Sequence, residues 1–236
     1  IAYLKEEYMN DQILQEYLEE DKKIVSEDIL KKHFMTIALY HHKNMVFLYY
    51  EELEHVKGPD EMFPFFTACL EKVPYKTDHV KWIPMNVFYY NAIPKTTEQW
   101  FRNEKKGRIG KIAYIMPDKL LSYMYYHKAL LDEGLFDGER YLSIASHDTI
   151  LFTYSETPRI LTHLNTESDE ASAVIEEWRK LNPKSHFDRN FSGDENFVQL
   201  KESNHEKGQH YILYVIIIRY HKKWGCFYSS PHHIRI

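Results

Sequence analysis

The sequence predicts an α+β fold in which two β-α-β-β-α-β units follow one another along the chain. An internal repeat relates residues 1–90 to residues 112–202, and such a repeat is the usual sign of a duplicated architecture. In each copy, apolar residues follow strand-like and helix-like periodicities in the same order. The 236 residues are also enough for two small domains.

Three blocks of the sequence carry the repeat. Ile1–Leu4 and Ile112–Ile115 are matching apolar stretches just ahead of a helical pattern. Thr36–Glu51 aligns without gaps with Tyr141–Glu156, and the identical pairs are His42/His147, Phe47/Phe152, Tyr49/Tyr154 and Glu51/Glu156. A third block matches Asp60, Glu61 and Pro74 to Asp169, Glu170 and Pro183. Because the blocks occur in one order, we expect both copies to share one topology.

The second copy, residues 111–202, has the clearer pattern. It opens with a β-type stretch, and Pro117-Asp118 then marks a helix start. The apolar positions of this helix recur every three or four residues until Gly134 ends it. The elements that follow are two hairpin strands, a helix and a last strand, at Tyr141–Ala145, Ile150–Tyr154, Ala171–Leu181 and Phe197–Leu200. This is the order of a ferredoxin-like unit.

The first copy, residues 1–90, repeats that order. Asn10 or Asp11 can cap a helix, and Ser26 can cap a second helical segment from Ile29 to Phe34. The remaining predicted elements are a hairpin, a helix and a last strand, at Thr36–Tyr40, Met45–Tyr50, Glu61–Val73 and Trp82–Tyr90. Residues 91–110 contain Pro, Gly and charged residues, as a linker does. Residues 203–236 lie outside the repeat as a C-terminal extension with a hairpin pattern.

The two units are expected to form one core. An antiparallel sheet with both helices on one face leaves its other face to be buried against a second layer. The second copy in the same chain is the natural partner for that face. The sequence therefore predicts two tandem ferredoxin-like units in an intrachain, pseudo-dimeric α/β barrel with the helices outside.

Composition and charge argue against several kinds of partner. A net charge of −5 and a pI near 6.3 provide no basic surface for nucleic acid. The longest apolar run, Tyr211–Ile218, is too short to span a membrane, which needs about twenty residues. Cys69 and Cys226 do not make a disulfide framework, which fits a reducing cytoplasm. We expect a cytoplasmic protein that binds neither nucleic acid nor membrane.

One pair of residues is suited to proton transfer. Tyr123 and His127 are four residues apart on the predicted helix, so they project from the same face. A histidine can give or take a proton near neutral pH, and a tyrosine hydroxyl beside it can bind substrate or relay the proton. A packed core histidine has the same spacing, so spacing alone leaves both interpretations open.

Residues 111–202 resemble the L-rhamnose mutarotase family of dimeric α/β-barrel proteins. The similarity lies in Pro117-Asp118, Tyr123 and His127 after a strand, and in Trp178 on the following helix. It implies that Tyr123 and His127 are an acid/base pair that interconverts the anomers of a monosaccharide. Trp178 would belong to the sugar-binding site, to which we add Tyr114, Tyr154 and Glu156 as further substrate-binding candidates. In the first copy Tyr17 matches Tyr123, but Asp21 matches His127 and Cys69 matches Trp178.

The resemblance implies an isomerase that needs no cofactor and no metal. No His-Glu-x-x-His or Cys-x-x-Cys motif is present in the sequence. The family consists of single units that dimerise, so a homodimer of this fused chain is left open.

Two other functions stay open. Tandem ferredoxin-like units also resemble the haem-binding chlorite dismutase group, in which His163 or His186 would be the axial ligand. The third alternative is a non-catalytic barrel that binds a small molecule.

Overall fold

The computed structural model describes residues 1–9, 12–30, 34–52, 57–92, 107–163, 170–193, 195–200 and 233–235. The chain is a mixed α+β protein with two compact units. Unit 1 comprises Ile1–Pro84 and includes the C-terminal strand; unit 2 comprises Met85–Ile93 and Lys106–Leu200. No helix among the described residues is long and apolar enough to cross a membrane.

Unit 1 contains an antiparallel sheet with helices packed on it. Its central strand pairs with three others, and the strands are β1 (Ala2–Tyr3), β2 (Phe34–His42), β3 (Met45–Glu52) and β13 (His233–Arg235). The helices are α1 (Gln12–Leu30), α2 (Pro59–Met62) and α3 (Pro64–Ala68). A separate small hairpin joins β4 (Val73–Tyr75) to β5 (Asp78–Val80). Apolar residues of α1, such as Leu14 and Leu18, pack with β2 and β3 in one core.

Unit 2 contains a five-stranded antiparallel sheet. The strands are β6 (Asn86–Tyr90), β7 (Gly107–Tyr114), β9 (Ser143–His147), β10 (Ile150–Thr157) and β12 (Val198–Gln199), in the order β12-β7-β10-β9-β6. The helices are α4 (Leu120–Glu133), α5 (Ala173–Lys180) and α6 (Arg189–Ser192), with 3₁₀ turns at Pro117–Lys119 and Pro183–His186. A two-stranded ladder pairs β8 (Asp137–Glu139) with β11 (Leu161–His163).

The helix that carries Tyr123 and His127 forms as the sequence predicts. Its apolar residues Tyr123 and Leu130 are buried on one face. It ends at Gly134, which has φ +73° and whose N–H donates to the Leu130 carbonyl at 3.1 Å. Glycine is favoured there because the left-handed conformation costs it no steric clash.

The helices of unit 1 differ from the sequence prediction. α1 is one continuous helix, and Ser26 Oγ donates to the Lys22 carbonyl at 2.6 Å instead of capping a second segment. The helix expected at Glu61–Val73 is two short helices that meet at Phe63, because Pro64 interrupts the backbone hydrogen bonding.

The last strand predicted for the first copy belongs to the other unit. Asn86–Tyr90 pairs antiparallel with β9, so it is the edge strand of the sheet in unit 2. Its apolar pattern identified a strand, but such a pattern does not specify which sheet edge the strand joins. Gly107–Gly110, expected in the linker, are part of β7. The rest of the predicted linker from residue 93, and the extension as far as residue 232, lie outside the described residues.

The predicted closed barrel is not found among the described residues. Their strands form four separate antiparallel sheets of five, four, two and two strands, and none closes on itself. The barrel was predicted because the sheet face that the helices leave open has to be buried. Burial of a face requires a covering layer but does not require the strands to hydrogen-bond into a ring.

Candidate functional site

The structure brings Tyr123, His127 and Trp178 together in unit 2. α4 carries the first two residues and α5 carries Trp178. The Tyr123 and His127 ring centroids are 4.1 Å apart, and each lies 5.7 Å from the Trp178 ring. Tyr123 is buried, whereas His127 and Trp178 are half-buried. The rings therefore form a site that has one buried side and one side near the surface.

Two residues of β6 complete the surroundings of His127. The Phe88 ring lies 6.1 Å and the Tyr89 ring 5.5 Å from the His127 ring, both nearly perpendicular to it. We call Phe88, Tyr89, Tyr123, His127 and Trp178 the aromatic cluster. Sequence reasoning missed Phe88 and Tyr89 because it assigned their strand to the other unit.

Tyr89 is fixed by its own hydrogen bond. Its hydroxyl donates to Asn91 Oδ1 at 2.9 Å. Burial, with a smaller contribution from the charge of Glu139, raises the pKa of Tyr89 to about 12. Tyr89 is therefore uncharged and lines the cluster, and its hydroxyl is already hydrogen-bonded to Asn91.

The hydrogen bonding of His127 determines which of its nitrogens can do chemistry. Nδ1 lies 2.8 Å from the Tyr123 backbone carbonyl, and because a carbonyl only accepts, Nδ1 must donate. In the neutral ring, Nε2 then carries a lone pair. No described residue hydrogen-bonds to Nε2. The cluster therefore presents one proton-accepting nitrogen.

Burial keeps the site uncharged at neutral pH. It lowers the pKa of His127 to about 4. The hydrogen bond to the Tyr123 carbonyl partly opposes this shift, and the nearby His186 adds to it. Burial, with a smaller contribution from Tyr89, raises the pKa of the Tyr123 hydroxyl above its usual range. His127 can accept a proton or a hydrogen bond, and Tyr123 can donate a hydrogen bond.

The other three predicted substrate-binding residues lie elsewhere. The Tyr114 ring, at the end of β7, packs 4.2 Å from the ring of Phe191. The Tyr154 hydroxyl donates to Glu156 Oε1 at 2.7 Å, and both residues are buried. Leu151 of β10 packs in the same core as Tyr123. Tyr154 is three residues further along the strand, so it faces the opposite side of the sheet.

Unit 1 repeats the tyrosine–glutamate arrangement but not the aromatic cluster. The Tyr49 hydroxyl donates to Glu51 Oε1 at 2.6 Å. Asp21, the counterpart of His127, accepts hydrogen bonds from the backbone N–H groups of Phe65 and Phe66, at 3.1 and 2.7 Å. Asp21 thus holds the start of α3, which is a structural role. Burial raises its pKa to about 6, against the lowering effect of those two hydrogen bonds.

A serine and a histidine that sequence reasoning did not connect lie next to the cluster. Ser122 Oγ, on α4, is 3.0 Å from Nε2 of the buried His186. The His186 ring also lies 4.6 Å from the Trp178 ring. Because 64 residues separate Ser122 from His186, no local motif could reveal this contact.

Few residues in the described part of the chain are candidate ligands for a metal ion or a haem. Among those residues no group of three or more His, Cys, Asp or Glu side chains is placed to hold a metal ion. Of the two proposed haem ligands, His186 is buried with Nε2 facing Ser122. The side chain of His163 lies outside the described residues.

Comparisons with models of protein families, with curated proteins and with solved structures each find no match to the chain.

Proposed function

We propose that unit 2 is a ferredoxin-like unit that binds a monosaccharide at the aromatic cluster and interconverts its anomers through His127. The topology supports the first part of this proposal. The order β12-β7-β10-β9 has α4 between β7 and β9, and α5 and α6 between β10 and β12. Numbered along the unit, this is strand order 4-1-3-2 of a β-α-β-β-α-β fold. We propose that unit 1 has the same fold and is the first copy of the repeat, since β1, α1, β2 and β3 follow the same succession.

The observation that carries the functional proposal is a neutral histidine with an available Nε2 beside Trp178 and Tyr123. One face of a pyranose ring is largely C–H and packs well on an indole ring, while its hydroxyl groups need polar partners at the edge. Small-molecule sites commonly combine apolar walls with a few placed polar groups. The aromatic cluster has that composition.

The reaction needs one proton removed and one proton added. His127 Nε2 takes the proton of the anomeric hydroxyl, the bond from C1 to the ring oxygen breaks, and the C1 carbonyl forms. The protonated His127 returns this proton to the ring oxygen through a bound water, and the Tyr123 hydroxyl donates a hydrogen bond to the same oxygen. Rotation about C1–C2 presents the other carbonyl face, and reversal of the same proton transfers closes the ring. His127 ends the cycle neutral, and no atoms are gained or lost.

The test is anomer exchange measured by saturation-transfer NMR on a panel of aldoses. We expect the chain to accelerate exchange above the rate in buffer alone. His127→Asn should reduce the acceleration by roughly 10²–10⁴-fold, the usual contribution of general acid–base catalysis. His147→Asn is the matched control, because His147 is, like His127, a half-buried histidine of the same unit, and it lies at the end of β9. No acceleration for any aldose, or equal acceleration by the His127 variant, would refute the catalytic proposal.

The second candidate is binding without catalysis, and the low pKa of His127 favours it. A general base is most effective when its pKa lies near the working pH, whereas a pKa of about 4 suits a permanent hydrogen-bond acceptor. In this case sugar titrations would shift the NMR signals of Trp178 and His127 without any enhancement of anomer exchange.

A further inference from the structure

The contact between Ser122 and His186 has the features of an activated hydroxyl. Ser122 Oγ lies 3.0 Å from His186 Nε2, within reach for proton transfer. Nδ1 of His186 is buried and makes no hydrogen bond of normal geometry within the described part of the chain. When Nδ1 carries the proton, Nε2 accepts the Ser122 hydroxyl, and this is the tautomer that a general base requires.

The imidazole of His186 is uncharged at neutral pH. Burial lowers its pKa, and the Asn182 carbonyl partly opposes this shift, as expected for an acceptor near the ring N–H. The charge of Lys119 lowers the pKa further, while the Pro183 carbonyl and the charge of Asp118 raise it by smaller amounts. An uncharged imidazole can take a proton from a serine, whereas a protonated one cannot.

Both residues of the pair are held in place by secondary structure. Ser122 lies in the first turn of α4. The His186 carbonyl accepts the Met116 N–H at 2.8 Å, and Phe187 forms a β-bridge with Ile115. The Trp178 ring packs against the imidazole. A reactive pair needs such support because small displacements misalign the proton transfer.

The surface side of the pair offers access and a positive charge. Ser122 is half-buried, and 42% of the Lys119 side chain is exposed. Lys119 and Ser122 are three residues apart across the start of α4, so they lie on the same face. Lys119 Nζ lies 3.5 Å from the exposed carboxylate of Asp118. In this solvent-exposed pair the ammonium group can still turn towards the negative charge that develops on a carbonyl oxygen attacked by Ser122.

We propose that Ser122 is a nucleophile, activated by His186, that accepts the acyl group of a carboxylic ester. Ser122 Oγ bonds to the ester carbonyl carbon while His186 Nε2 takes the hydroxyl proton. The tetrahedral intermediate expels the alcohol, which receives that proton from His186. Water then attacks the acyl-serine with His186 again as base, and it releases the carboxylic acid. This activity does not depend on His127 or on sugar binding.

The experiment is covalent labelling of the whole chain with an alkyl fluorophosphonate, read by intact mass and peptide mapping. We expect one label at Ser122 on the folded chain and none on the urea-unfolded chain. Ser122→Ala should abolish labelling, and His186→Gln should slow it by roughly 10²–10⁴-fold. The labelling rate should fall as pH drops through the lowered pKa of His186, because the base becomes protonated.

A control variant and the choice of probe separate this activity from folding defects and from the sugar site. Ser26→Ala removes a half-buried helical serine that donates only to the Lys22 carbonyl among the described residues, and it should label normally. Labelling requires neither a sugar nor proton transfer by His127, so failure of the sugar proposal does not decide this one. Labelling rates are compared only between variants whose thermal unfolding midpoint equals that of the native chain. Absence of label on the folded chain, label at another residue, or a rate unchanged in the His186 variant would overturn the proposal.

Discussion

The side chain of His127 is oriented by the helix that carries it. Its Nδ1–H donates to the Tyr123 carbonyl, so the ring orientation and the tautomer are both set within a single turn of α4. The Phe88, Tyr89 and Trp178 rings lie 6.1, 5.5 and 5.7 Å from the His127 ring, and no described residue hydrogen-bonds to Nε2. The residue is therefore a rigid acceptor, and its protonation is controlled by burial.

The first prediction concerns the pH dependence of His127. Its pKa is lowered to about 4 in the folded chain, against 6.5 for the free side chain. As pH falls from about 6.5 to 4, the unfolded chain takes up a proton that the folded chain does not, so stability decreases. At about 1.4 kcal/mol per pKa unit, the loss is at most about 3 kcal/mol. Urea unfolding at pH 7 and pH 4.5 measures it.

His127→Asn is the variant that tests this assignment. Asparagine does not titrate, so the variant should lose less stability than the native chain between the two pH values. The control His147→Asn should keep the native difference, because His147 lies outside the cluster. Equal pH dependence in all three chains would contradict the pKa given to His127.

At the residue scale, sequence reasoning could predict part of the site. The spacing of Tyr123 and His127 on a helix is a geometric consequence of 3.6 residues per turn, and both residues are on the predicted helix. The Ser122–His186 contact and the role of Asp21 depend on residues that meet only after folding. Such contacts leave no periodic signal in the sequence.

At the scale of elements, α4 and α5 are coupled through one carboxylate. Glu133, at the end of α4, accepts the N–H groups of Ala173 and Val174 at 2.9 and 3.3 Å and the hydroxyl of Ser172. Ser172 Oγ in turn accepts the Ile175 N–H at 3.0 Å. These bonds satisfy the start of α5 and thereby fix the helix that carries Trp178.

Glu133→Ala should loosen α5. Loss of helix N-terminal partners costs about 1 kcal/mol, and we expect Trp178 to become more exposed. Urea unfolding gives the stability change, and quenching of tryptophan fluorescence in the variant reports the exposure. Asp132→Ala is the matched control, since Asp132 is the adjacent exposed acid and pairs only with Lys128 among the described residues. An equal effect of both substitutions would show that Glu133 does not hold α5.

Gly138 lies in close contact with Asn91, the residue that follows β6. A Cβ atom built on Gly138 would lie 2.1 Å from Asn91 Oδ1, the atom that accepts the Tyr89 hydroxyl. Gly138→Ala should therefore displace Asn91 and destabilise unit 2 by roughly 1–3 kcal/mol, the usual cost of overpacking.

Thermal unfolding of the Gly138 variant measures this cost. Gly58→Ala is the control, because nothing lies within 4 Å of a Cβ atom at that position. A Gly138 variant as stable as the Gly58 variant would mean that the contact with Asn91 relaxes without strain.

At the scale of the whole molecule, the repeat predicted the fold class and the hairpins better than it predicted how the strands assemble into sheets. It correctly predicted an α+β chain with two antiparallel hairpins, which the structure forms from Phe34–His42 with Met45–Glu52 and from Ser143–His147 with Ile150–Thr157. The same tyrosine–glutamate hydrogen bond occurs on β3 and on β10. The sheet that Asn86–Tyr90 joins and the closure of a barrel were predicted wrongly, because hydrophobic periodicity determines the faces of a strand and leaves its edges unspecified.

The most direct test of the central claim is a crystal structure of the chain with a bound monosaccharide. We expect a sugar ring packed on Trp178, with its anomeric hydroxyl within hydrogen-bond distance of His127 Nε2. A sugar bound away from the aromatic cluster, or an anomeric hydroxyl that contacts no atom of His127, would contradict it.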